Sequence, residues 1–245
     1  MPQLSFVKVT PHVYRLDLPF FGGRASVGVW LVQDDQGWLV IDAGAPDVQK
    51  TVLEQVLAAT GGQTPRLLIL THGHLDHAGA AEAMRDQWKV PVAAGRDEIP
   101  YLLGPIRYRQ IPTHFLPYKL LQLSPPPLVG RNVQLPLDDG SQVGPLTAYH
   151  APGHAPGMLA LLHREDRALI CGDAFGNRVK LGDPAAPFTY DMRLAHKSQA
   201  RLMELDFDHL LPSHGAPLMN TGREQGRALL ASRDKKTPRA RLAAA

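Results

Sequence analysis

Leu67-Leu68-Ile69-Leu70-Thr71-His72-Gly73-His74-Leu75-Asp76-His77-Ala78-Gly79 carries the densest chemistry in the chain. Its first four residues are an uninterrupted apolar run, which reads as a buried strand. That strand delivers His72, His74, Asp76 and His77, four metal-donor side chains within six residues. In extended backbone, side chains two apart point the same way, so His72 and His74 can grip one cation together. Ala80, Ala81, Ala83 and Met84 predict a helix over 78–88. The change from strand to helix turns Asp76 and His77 away from the first pair, toward a second cation a few Å off. Imidazole with carboxylate suits zinc first, with iron or manganese behind it. The plain alternative is a histidine-rich turn lying in solvent. Four donors placed directly after a buried strand weigh against that.

Three later stretches each put one further donor after an apolar segment: Ala151-Pro152-Gly153-His154, Ile170-Cys171-Gly172-Asp173 and Leu211-Pro212-Ser213-His214-Gly215. Prolines and glycines on both sides of His154 fix its direction. Asp173 ends a hydrophobic strand, where a buried carboxylate without a partner is costly. Early in the chain, Val40-Ile41-Asp42-Ala43-Gly44 ends another strand in a glycine turn. In this order, and with the H-x-H-x-D-H run, these motifs resemble those of the metallo-β-lactamase-fold hydrolases over roughly residues 10 to 220.

The resemblance implies an α/β fold, a four-layer αββα sandwich with the metals at one edge. It implies two divalent ions per chain, one on His72, His74 and His154 and the other on Asp76, His77 and His214, with Asp173 bridging. Asp42 is implied to stand near the metals without ligating. Activity would follow from a metal-activated hydroxide attacking a small-molecule substrate, with Asp76 also orienting that hydroxide. Similar proteins cleave thioesters, lactones, β-lactams, phosphodiesters and RNA. The glutathione-thioester members add a basic helical extension, of which only a short tail remains here, and the RNA-processing members add arms for which this length has no room. A small ester, thioester or lactone is therefore the leading class, with a phosphodiesterase or nuclease further back. The rival from redox chemistry is a persulfide dioxygenase with one iron, which His72, His154 and Asp173 would suit. Diiron oxygen reductases fit less well, since they usually exchange a motif histidine for glutamate and add a flavin domain. A non-catalytic metal-stabilised module would want a closed four-coordinate site, which this donor set exceeds.

The remaining composition sets bounds. At 245 residues, with 44% hydrophobic and 20% charged residues, the chain has the make-up of a soluble globular protein with a sizeable core. Residues 1–232 read as one domain and 233–245 as a disordered basic tail. From Arg223 onward there are seven Lys/Arg against Glu224 and Asp234, leaving 19 basic and 21 acidic residues in the body. A basic end can touch nucleic acid, but a solvated tail is the plainer reading. The single Cys171 forbids an internal disulfide. With no visible signal peptide or membrane-length apolar run, the expected compartment is the cytoplasm. A homodimer stays open.

Alternation predicts strands over 13–18, 27–32 and 37–41, with a turn at Asp34-Asp35-Gln36-Gly37. A helix from Pro46 to Gly61 should show Val48, Val52, Leu53, Val56 and Leu57 on one face. Strands are expected over 90–94, 133–137 and 142–149, then a hairpin of 158–163 and 168–171 turned at Glu165-Asp166. Helices over 193–205 and 222–233 flank a short strand at 209–211. Residues 97–130 break this rhythm with Tyr101, Tyr108, His114, Phe115, Tyr118 and a triple proline. They read either as a specificity cap or as a passive loop, with His114 an ordinary loop residue. Phe20 and Phe21, with Tyr108, Phe115, Tyr118 and Tyr190, are the candidate pocket residues. Tyr190 could donate to a tetrahedral intermediate, although a packed loop tyrosine is the plainer reading. Cys171, two residues before Asp173, is expected on the same side of its strand but as a buried thiol. His12, His150, His163, His196 and His209 match no ligand position and read as structural.

Overall fold

Period-two alternation in two sets of strands builds this molecule. The computed structural model describes residues 4–20, 25–104, 128 and 133–236, the side chains of 20 and 234–236 aside. Its first sheet runs in spatial order β1 (Val7–Lys8), β2 (Val13–Phe20), β3 (Ala25–Asp34), β4 (Gly37–Ile41), β5 (Leu67–Leu70), β6 (Val92–Gly95) and β7 (Leu135–Leu137). The early strands form an antiparallel meander, and β4 to β7 pair in parallel. Parallel pairing needs crossovers, supplied by α1 (Gln49–Ala59) and by α2 (Leu75–Ala78) with α3 (Ala81–Trp88). The second sheet runs β12 (His209–Gly215), β11 (Ala168–Asn177), β10 (Leu159–His163), β9 (Leu146–His150) and β8 (Gln142–Val143).

Alternation sorts the side chains into layers. Leu39 and Ile41 face Leu161, Ile170 and Leu211 between the sheets. Val40, on the other side of β4, packs with Val52 and Val56 of α1 and Met84 of α3. On the far face, Leu162 and Leu169 pack with Leu202 of α5 (Met192–Leu202) and against Leu229 and Leu230 of α6 (Gly222–Lys236). The order is helix, sheet, sheet, helix, the expected αββα sandwich.

Four expectations about local structure change. Helix starts at Leu75 rather than Ala78, so Asp76 and His77 lie on helix, and it breaks at Gly79-Ala80 before α3. Gly79 packs so closely on Pro46 and the Leu75 carbonyl that no Cβ would fit. The 142–149 strand is really a hairpin, because Gly144 takes a left-handed φ of 56° ahead of Pro145. Cys171 and Asp173 do not share a side. Gly172 has φ 53° and shifts the β11–β12 register, so Cys171 packs with Met203 and Phe207 while Asp173 faces the donors described below. Finally, α6 continues to Lys236, into the segment read as tail. Tyr101 to Leu103 lie in the short helix α4 (Ile99–Leu103). Phe21, Tyr108, His114, Phe115 and Tyr118, the side chain of Phe20, most of the 97–130 segment and the tail beyond 236 lie outside the described residues.

Candidate metal centre

The donors gather where β4, β5, β9 and β12 end and where β11 bends. Leaving β5, the chain passes Thr71 and His72, both fully buried. His74 lies just before α2, whose first turn holds Asp76 and His77. His154 sits on the loop between β9 and β10, where Ala151 N–H and the Met158 carbonyl close a turn at 2.8 Å. Asp173 follows the Gly172 bulge, and His214 lies near the end of β12.

These seven side chains form overlapping groups whose donor atoms lie within 4.8 Å of one another: His72, His74 and His154; Asp76, His77 and His214; and Asp173 with His72 and His77. His154 Nε2 is 2.9 Å from His74 Nδ1. Asp173 reaches both main groups, at 3.4 Å from His154 Nε2 and 3.3 Å from His77 Nε2 and His214 Nε2. Asp76 stands 3.2 Å from His214 Nε2.

A second ring of bonds sets the imidazole tautomers. Asp42 accepts the Thr71 N–H (2.8 Å) and hydroxyl, and lies 2.9 Å from His77 Nδ1. The Thr71 hydroxyl, donating to Asp42, can only accept from His72 Nδ1 at 3.1 Å. His214 Nδ1 donates to the Ser26 carbonyl at 2.8 Å. The Thr189 hydroxyl donates to the Ala185 carbonyl, so it accepts from His154 Nδ1 at 3.3 Å. Each of these four rings thus carries its proton on Nδ1 and turns an Nε2 lone pair inward. A carboxylate or carbonyl behind a histidine is the usual way proteins orient a metal ligand. Asp42 holds a left-handed φ of 60°, costly for a residue with a side chain and retained where surroundings over-determine it. It stands behind His77, outside the convergence of donors.

Charge shows the same convergence. Burial, then the neighbouring imidazoles, pushes His72 well below the ordinary value. Burial first, with His154 beside it, takes His74 down to about 3, and burial takes His154 to about 4. Burial alone would raise Asp76, but His77 and His214 outweigh it and hold it at about 2. Asp173 is likewise depressed against its burial by His214, His77 and His154. His77 and His214 move upward despite burial, driven chiefly by Asp173, with His214 at about 9. The two carboxylates and these two imidazoles thus lean on one another's charge. A divalent cation among them would satisfy the carboxylates and leave each Nε2 lone pair free to bind it. The fit is direct: His72 Nε2 is buried without any hydrogen-bond partner, and His77 Nε2 and Asp173 Oδ1, also without one, face each other at 3.3 Å.

Two supporting residues, Arg15 and Glu98, escape sequence reasoning. Arg15 is buried, stacks 4.9 Å over the Trp30 ring and donates to the carbonyls of Pro212 (3.2 Å) and Ser213 (3.4 Å), just before His214. Gly28 leaves the room that its guanidinium occupies. Glu98 is fully buried beside the histidine loops. Tyr190 is half-buried, and its backbone N–H donates to the His154 carbonyl at 3.0 Å. That bond braces the His154 loop. Cys171, buried away from the donors, has its thiol pushed upward by burial.

Comparison with known proteins agrees with this geometry. The family model "Metallo-beta-lactamase superfamily" matches residues 22–214. "Probable metallo-hydrolase YflN" of Bacillus subtilis is 31% identical over 78% of this chain and 80% of its own. "Acyl-coenzyme A thioesterase MBLAC2" of Gallus gallus is 31% identical over 62% of this chain and 58% of its own. The crystal structure of a "Beta-lactamase domain protein" from Burkholderia ambifaria superposes with a TM-score of 0.70 at 25% identity, covering 94% of this chain and 77% of the other. With the fold, the order of donors and a family match spanning most of its length in agreement, the chain is a metallo-hydrolase of the metallo-β-lactamase superfamily.

Proposed function

We propose that this chain hydrolyses a small ester, thioester or lactone with two divalent cations, zinc first. The observation that carries the reading is a set of buried donor atoms without a hydrogen-bond partner: His72 Nε2, with His77 Nε2 and Asp173 Oδ1 facing each other at 3.3 Å. They are buried, aimed at one region and explained by cations placed there. His72, His74 and His154 would hold one ion, Asp76, His77 and His214 the other, and Asp173 would bridge. Nitrogen and carboxylate donors favour zinc. Two such ions, when bound, would supply an activated water at neutral pH and a Lewis acid for a substrate carbonyl. Within that arrangement Asp76, at the mouth of the second trio, orients the attacking water, and Asp42 keeps the His77 lone pair directed inward.

The thioesterase relative supports placing thioesters first in the panel. No described helix is long and apolar enough to cross a membrane. The lone thiol of Cys171 is buried and free, which suits work in the reducing cytoplasm.

The test is elemental analysis of protein purified without added metal, followed by ester, thioester and lactone assays. About two zinc or manganese ions per chain, with turnover of one of these classes, are expected. A single iron per chain would overturn the reading and make persulfide oxygenation the first assay.

A further inference from the structure

Glu98 is not among the donors, yet its side chain lies fully buried between two of the loops that carry them. It closes a 3-10 turn, Arg96–Glu98, that follows β6 directly. Its Oε1 accepts the N–H of Gly73 at 2.8 Å, and its Oε2 accepts the N–H of Gly157 at 2.8 Å. Gly73 separates His72 from His74, and Gly157 lies three residues after His154. One carboxylate therefore spans the two loops that supply all three members of the first donor group.

We propose that Glu98 is a positioning residue that locks the His72–His74 loop to the His154 loop, setting the geometry of that trio before any ion arrives. The inference rests on reading the trio as metal ligands. Glycine makes the contact close. A Cβ on Gly157 would overlap the backbone of Asp97 and Glu98, and one on Gly95 would overlap the Gly157 carbonyl. The His154 loop is thus pressed against the 95–98 backbone with no side chain between, and Glu98 carries a polar link from that seam to the His72–His74 loop. Hydrogen bonds from N–H to a carboxylate are stronger than those between neutral groups. An acceptor lost here costs a buried N–H its charge-assisted bond. Glutamine in this place keeps one acceptor oxygen but presents an NH2 group to the other glycine N–H, so one loop is released while size and packing persist.

The test uses Co(II) alone as the probe, titrated into metal-free wild type and Glu98→Gln against a chelator of known affinity. It is read with the visible spectrum of bound Co(II) and with hydrogen exchange at Gly73 and Gly157 in the metal-free proteins. The wild type should take up about two ions. In Glu98→Gln one ion should bind about 10–100-fold more weakly with an altered spectrum, the loss typical of second-ring partners. The Gly73 or Gly157 amide should exchange faster, while amides of β5 and β11 keep their protection. Unchanged affinity, spectrum and glycine exchange would overturn the proposal. Equal weakening of both ions, with faster exchange through the core strands, would also overturn it, since that describes general loosening. Glu98→Asp, which keeps the charge on a shorter arm, gives the same readouts if the glutamine variant fails to fold. Should the wild type bind no Co(II), the metal reading fails by itself, and glycine exchange still decides whether Glu98 ties the loops.

Discussion

Two clusters of histidine and aspartate stand at opposite ends of the same sandwich, and only one is built to receive a cation. At one end most histidine rings meet edge to face, His72 with His74 at 77°, His72 with His154 at 88° and His77 with His214 at 81°, while His72 and His77 are tilted at 44°. At the other end, beside the start of β11, His12 and His163 lie stacked at 17° with centroids 5.4 Å apart, around Asp166. Lone pairs lie in the ring plane, so edge-to-face rings can aim at one point while stacked rings aim past it. Satisfaction differs as well. Asp166 accepts from the Thr10 hydroxyl, from His12 N–H at 2.8 Å and from His12 Nδ1 at 2.7 Å, and its own N–H donates to His163 Nδ1 at 3.1 Å. Room is not what is missing, because a cleft of about 570 Å³ lined by His12, His163 and Glu165 opens beside it. Missing are the unpartnered atoms. The distal cluster is a completed polar tie between the turn before β2 and the turn before β11.

The contrast breaks most visibly through the metal end. His214→Ala removes one donor of the second group and uncovers Asp76 and Asp173. It is expected to lose about one of two ions and at least about a hundredfold in turnover, the scale seen when a transition-state stabiliser is removed. Metal counting by elemental analysis beside steady-state assays checks this. Two ions retained would dissolve the assignment of His214.

The distal end should answer in stability instead. Asp166→Ala strands the Thr10 hydroxyl and the His12 N–H, and an unsatisfied buried group costs about 1–3 kcal/mol. The expected result is a Tm lower by about 2–12 °C for a chain of this size, with metal content and turnover unchanged. If Asp166→Ala instead removed an ion, the two clusters would be alike after all.

How much of this was legible follows from how local each signal is. The run from His72 to His77 declares itself because strand and helix periodicity act over a few residues. Membership of His154, Asp173 and His214 came from the order of motifs in a resembling family, since spacing cannot say which distant loops meet. The layers were legible through alternation in β2 and β3 and the apolar run of β5, whereas the Gly172 bulge was not, and it sends Cys171 and Asp173 apart. Glu98 sits in Arg-Asp-Glu, a run that reads as solvent-exposed charge, and nothing local says that two glycine amides wait for it. Arg15 hides in the same way among alternating strand residues, although Gly28 on the neighbouring strand is the mark of a large neighbour. His12, His163 and Asp166 contain the right residue types for a metal, and only ring orientation and hydrogen bonding separate them from the real candidates.

The smallest effect sharpens the same contrast through pH. Burial lowers the pKa of His163, with Asp166 pulling the other way. A group whose folded pKa lies below its unfolded value of 6.5 leaves the unfolded chain binding more protons as pH falls past that value, so the fold loses stability there. Asp166 is depressed by its bonds from Thr10 and His12 against the effect of burial. Its contribution is therefore present above the ordinary aspartate value of 3.8 and fades only as pH falls below it. Between pH 6.5 and 5, His163 is thus the member of this pair that titrates against the fold. In metal-loaded protein, where cations hold the ligand histidines neutral, His163→Asn should flatten the fall of Tm over that interval by about 1–2 °C, because the asparagine oxygen can still accept the Asp166 N–H without taking up a proton. Thermal unfolding at half-unit pH steps, with wild type alongside, measures it. An unchanged slope would mean that His163 shares its environment with solvent more than its burial implies, and that the distal tie is held by Asp166 and its donors alone.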